Sequence, residues 1–166
     1  YRHLVPTLAQ GENDLLDISL YSNAETFQKG VDEFMEGAWQ TFSDNVGEGN
    51  ADSLEAKAMW QEVSSKWRNE MIIKYEGKLN EGIKDGQSEQ FGIELSANTT
   101  LNFDEAGKPV PYDGSNLQDL VTNRYNELNE TGLYDKIEVT EVIGKRLTQE
   151  VVALHAAGRN KDASLM

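Results

Sequence analysis

In the run "FGIELSANTTLNF", Phe91, Ile93, Leu95, Ala97, Thr99, Leu101 and Phe103 take the odd places, and Glu94, Ser96, Asn98, Thr100 and Asn102 the even ones. Successive side chains of a strand point to opposite faces, so a period of two gathers the first set on one apolar face. The spacing predicts a long amphipathic strand or a hairpin. Strands usually run about 5–6 residues, so Ala97-Asn98 is the expected place of a bulge or turn. Such a face needs a cover, from helices of the same chain or from another subunit. Phe91, Ile93, Leu95, Leu101 and Phe103 are therefore the candidate interface residues.

The rest of the chain carries helical periods. Phe27, Val31, Phe34, Ala38 and Phe42 recur at spacings of three and four, which predicts a helix over 25–43 with Met35 and Trp39 widening its face. Asp52-Ser-Leu-Glu55 has the form of a capping box and predicts a second helix start. Met59, Val63, Trp67, Met71, Tyr75, Leu79 and Ile83 then follow at intervals of four. Each such step overshoots a full helical turn by roughly 40°, so the stripe winds around the axis. Either different neighbours cover its two ends or the helix breaks near Gly77. The expected form is a long helix to about Tyr75 and a weaker stretch beyond, since each helical Gly costs roughly 1 kcal/mol relative to Ala. A third helix is expected from Ser115, with Leu117, Leu120, Val121, Arg124 and Leu128 on one side and Gly132 as its stop. A fourth is expected over 141–157, with Ile143, Leu147, Val151 and Leu154 inward. Leu16–Leu20 and Ile137–Val139 alternate and suggest short strands. The fold class read from this order is α+β: about four helices and a small antiparallel sheet built around the long strand. The expected organisation is an N-terminal arm over 1–14, one domain over 15–158 and a polar tail over 159–166.

With 29 acidic against 15 basic residues the net charge is −14. Such a field repels phosphate backbones and anionic lipid, which argues against nucleic acid as a partner. The chain has no cysteine, so disulfides, zinc–thiolate sites and thiol nucleophiles are excluded. No apolar run is long enough to span a membrane. The first residue is Tyr1 rather than Met, which suggests a processed product or part of a longer chain.

"DNVGEGNADSLE", Asp44 to Glu55, lies between two expected helices. Asp44, Glu48, Asp52 and Glu55 stand at its first, fifth, ninth and twelfth places and Gly49 at the sixth. In this pattern the loop resembles the EF-hand loop of calcium-binding helix–loop–helix proteins, which implies those four acids as calcium ligands. The resemblance covers these residues alone, and it departs from the pattern at Val46, where the third place needs an oxygen. The other reading is a helix stop followed by a cap. His3 and His155 belong to no metal-spaced pair; His155 reads as partly buried and His3 as solvent-facing. No nucleophile elbow or phosphate loop is present. Trp39, Trp60 and Trp67 read as packing residues or, alternatively, as a ligand-stacking platform. Asn98 and Asn129 fit the glycosylation acceptor pattern.

Three functions remain. The first is a non-catalytic structural or assembly subunit with protein partners, in a homo- or hetero-oligomer, and with a virion or an extracellular or surface assembly as its setting. It needs no cofactor. The second is a calcium-modulated or ligand-binding module using the 44–55 loop. The third is a hydrolase with acidic catalytic residues, which would need two carboxylates with displaced titrations in one concave site.

Overall fold

The computed structural model describes residues 4–17, 20–21 and 23–166, without the side chains of residues 4–6 and 48. The α+β expectation is corrected: the described structure is 77% helical, and its only sheet has two short strands. The elements in chain order are α1 (Leu4–Leu15), α2 (Ala24–Val46), α3 (Glu48–Ala51), α4 (Leu54–Asn98), β1 (Asn102–Phe103), β2 (Pro109–Val110), α5 (Leu117–Glu130), α6 (Lys136–Ala156) and α7 (Asn160–Ala163). They group into two compact units, Tyr1–Asn80 and Glu81–Met166. The long helix α4 supplies one part of itself to each.

In the first unit, most of the expected arm is helical. Pro6 falls in the first turn of α1, where its missing N–H is harmless. Gly11 does not break α1; a Cβ there would lie 2.0 Å from the Phe34 ring, so the glycine admits that ring. Asn23 caps α2, accepting from the Thr26 N–H at 2.9 Å, while the Thr26 hydroxyl accepts from the Asn23 N–H. The α2 face is the expected one, with Phe27, Val31, Met35, Ala38 and Phe42 buried. Leu8, Leu15 and Leu16 join Phe27, Val31 and Met35 in a core completed by Trp67, Met71 and Tyr75 of α4. The Phe27 and Tyr75 rings stack at 4.1 Å. Leu16 continues the turn of α1 instead of starting a strand, its N–H donating to the Glu12 carbonyl; Ile18 lies outside the described residues.

In the second unit the predicted strand is mostly helix. Through Asn98 the stretch belongs to α4, where residues four apart share a face, and Phe91, Leu95 and Thr99 are buried along it. Phe91 and Leu95 pack with Leu117 and Leu128 of α5, Val139 and Ile143 of α6, and Tyr134. Ile93, at the helical position between them, is 65% exposed. The alternation misled because every fourth residue of a period-two pattern is also apolar; a buried i, i+4 pair satisfies both templates. The expected weak stretch after Tyr75 remains helical, and the expected strand at Ile137–Val139 is the first turn of α6. Asp135 caps that turn with two backbone amides, while Glu138 accepts from the Asp135 N–H at 2.9 Å. Gly132 and Gly158 follow α5 and α6 at φ +67° and +75°, the left-handed conformation glycine adopts freely. The tail also folds: α7 buries Ala163, and Met166 packs on the second core.

Candidate functional site

The hairpin after α4 arises from local chemistry. Thr99 and Thr100 end the helix, with the Thr100 hydroxyl donating to the Ser96 carbonyl at 2.8 Å. β1 and β2 then pair antiparallel, Asn102 opposite Val110 and Phe103 opposite Pro109. The connecting turn is pinned by Asp104, whose carboxylate accepts from the Ala106 N–H at 2.9 Å and the Lys108 N–H at 2.8 Å. Gly107, at φ +73°, completes it. Directly paired residues point to the same face of a ladder, and so do residues two apart along an extended chain. Leu101, Phe103 and Pro109 therefore lie on one face of the hairpin, and Val110 on the other. Leu101 is 42%, Phe103 64% and Val110 45% exposed.

The five interface candidates thus divide. Phe91 and Leu95 are core residues of their own chain. Ile93, Leu101 and Phe103 remain uncovered. The sequence patterns named above do not include Pro109 and Val110; a short apolar pair after a glycine turn is the signal that could have found them.

A polar seam beside this surface joins α4 to α6. Glu150 of α6 accepts from the Ser96 hydroxyl at 2.7 Å and from the buried Thr99 hydroxyl. Arg146 donates to the Ser88 hydroxyl at 2.9 Å, and Lys84 to Glu138 at 2.9 Å. The Lys84 ammonium holds the Glu138 carboxyl below the usual glutamate range, helped by the Asp135 amide, and Glu138 in turn raises Lys84. Tyr112 donates to the Asn98 side chain at 3.2 Å, and the Asn129 amide donates to the Tyr125 carbonyl at 2.8 Å, so both glycosylation-pattern asparagines have engaged side chains.

The acidic loop is a helix end, the short α3 and a cap. Asp44 accepts from Gln40 at 2.9 Å, and Asp52 pairs with Lys57 at 2.8 Å, which lowers the Asp52 carboxyl's pKa. Ser53, rather than Asp52, caps α4 through the Ala56 N–H at 3.2 Å. Glu55 sits in the first turn of α4; the Glu48 side chain is outside the described set. Among the described residues no group of three or more carboxylates or histidines could hold a metal. Hydrogen bonds hold the Asp52, Asp113 and Glu138 carboxyls below their ordinary ranges, from Lys57, from the Ser115 amide and from Lys84 respectively. His155 is exposed instead of partly buried, its Nδ1 2.7 Å from the Asn160 Oδ1; His3 lies outside the described residues. Trp67 is buried, while Trp39 and Trp60 are half-buried in a groove between α2 and α4. Among the described residues no helix is long and apolar enough to cross a membrane.

Set against protein-family models, curated proteins and solved structures, the chain matches none.

Proposed function

We propose that the chain is a non-catalytic assembly subunit that acts through protein–protein contacts, with the hairpin as a contact element. The observation that carries this reading is the exposure of Leu101 and Phe103 on one face of a hairpin whose turn is held by its own hydrogen bonds. Exposed apolar side chains grouped on one element mark interaction sites. An element already fixed in shape loses little conformational freedom on binding. The net charge of −14 opposes close approach of two copies at low ionic strength, so salt favours any self-association.

The test is absolute mass in solution by light scattering, at low and high salt, for the native chain and for Phe103→Ser. The expected result is a defined oligomer in the native chain, strengthened by salt, and a smaller species in the variant with unchanged helical content. A native chain that stays monomeric in both salts, or an oligomer untouched by Phe103→Ser, sinks the hairpin contact.

A further inference from the structure

Between α2 and α4 of the first unit lies a groove of about 400 Å³, within the range of roughly 300–1,000 Å³ that small ligands occupy. One end is aromatic. The rings of Trp39 and Trp60 meet at 5.2 Å and 52°, forming an open corner, with Phe42 behind Trp39 at 5.6 Å. The other end is closed by an ion pair, Arg68 to Asp32 at 3.0 Å. Glu36 lies between these ends, one turn from each along α2. Lys29 is paired with Glu33 at 3.7 Å, so both bases of the groove already have carboxylates. Among the described residues Glu36 has neither an ion-pair nor a hydrogen-bond partner.

From this placement we infer that the groove binds an organic cation, a guanidinium or alkylammonium group, with its charge held between Glu36 and the indole faces of Trp39 and Trp60. A cation is drawn to an indole face by the ring quadrupole, and the adjacent carboxylate supplies an ion pair. An anion would meet three carboxylates and two bases that are already engaged. The long-range field of the chain draws the same sign of guest. The site lies in the first unit and does not depend on the hairpin contact. Its chemistry suits either a free small amine or a basic side chain of a partner protein.

The experiment is titration of the full chain, followed by the indole N–H resonances of Trp39 and Trp60 in a two-dimensional NMR spectrum. One probe is argininamide, with citrullinamide as its neutral control, both Nα-acetylated so that the side chain alone can carry a charge; the other is a short Gly/Arg peptide. Saturable movement of both resonances with argininamide supports the site and a small-molecule source. Movement with the peptide alone supports the site and a protein source. In either case Glu36→Gln is expected to weaken binding roughly fivefold or more, whereas Glu25→Gln, an exposed acid in the first turn of α2, is expected to leave it unchanged. Absence of movement with both probes overturns the inference. So does an equal response to citrullinamide, an affinity that Glu36→Gln leaves intact, or equal weakening by Glu25→Gln, which would mean attraction by overall charge alone.

Discussion

Arg124 of α5 grips Glu94 of α4 through one nitrogen: Nη2 donates to both carboxylate oxygens, at 2.6 and 2.5 Å. The Arg124 side chain is only 9% exposed, and its guanidinium lies 5.8 Å from the centre of the buried Phe91 ring. Its Nε is buried without a hydrogen-bond partner. Removing one member of a buried pair costs about 3–5 kcal/mol, because the other charge stays behind in low dielectric; exposed pairs are worth about 0–1 kcal/mol. Glu94 is part-exposed, so Glu94→Gln is expected to cost about 2 kcal/mol in urea denaturation. Arg124 is then left with Glu127, at 3.2 Å and largely in water. Arg124→Met is expected to cost less, since it removes the buried charge and fills the same space. A larger loss for Arg124→Met than for Glu94→Gln would contradict this account.

The replacement of a strand by a helix over 91–98 makes a second prediction. In a strand, Phe91, Ile93 and Leu95 share one face and substitutions there are felt alike. In α4, Phe91 and Leu95 are fully buried and Ile93 is not. Phe91→Ala is expected to destabilise by about 3–5 kcal/mol and Ile93→Ala to stay within about 0.5 kcal/mol. Comparable losses at the two positions in thermal or urea melts would restore the strand.

The elements legible in the sequence were those where only one period fitted. Along α2 the spacing of Phe27, Val31, Phe34, Ala38 and Phe42 has no strand reading; four of the five are buried, and Phe34 packs half-buried on the same core. Cap residues were legible in kind but not in detail. Ser53 caps α4 where Asp52 was expected, because Asp52 finds Lys57. α5 begins at Leu117, two residues after the start expected at Ser115, and Asn116 makes no side-chain cap. The stretch around Phe91 was ambiguous, and the partners that decided it are Val139 and Ile143, distant in sequence. Past α4 the alternation was legible, since β1 keeps Asn102 and Phe103 extended. The groove at Trp39 was not, because it needs α2 and α4 side by side.

The uninterrupted course of α4 predicts the behaviour of its glycines. Gly77 and Gly86 are helical, and a Cβ at either would meet nothing within 4 Å. Replacing a helical Gly by Ala lowers the entropy of the unfolded chain and costs no packing here. Gly77→Ala and Gly86→Ala are each expected to stabilise by about 0.5–1 kcal/mol. Gly47, at φ +82°, is the internal control. Alanine there is strained, and Gly47→Ala is expected to destabilise by about 1–3 kcal/mol. A loss of stability in Gly77→Ala would mean that the helix breaks at that residue.

The Lys84–Glu138 pair ties stability to pH at both ends of the scale. Glu138 titrates below the ordinary glutamate range because the Lys84 ammonium and the Asp135 amide both hydrogen-bond its charged form. Its contribution is therefore complete above the unfolded value of about 4.3 and is lost as pH falls from there through the folded one. Lys84 titrates above the ordinary lysine range because it donates to Glu138, against a smaller opposing effect of burial. Its contribution is complete below about 10.4 and is lost as pH rises through the folded value. Glu138→Gln keeps an acceptor for the Asp135 amide and removes the charge. The gap in denaturation midpoint between the native chain and this variant is expected to be widest near neutrality and to narrow in acid and in strong alkali. A gap as wide at about pH 3 as at neutrality would show that the loss in the variant does not come from the Glu138 charge, and would overturn the pair as the source of this pH dependence.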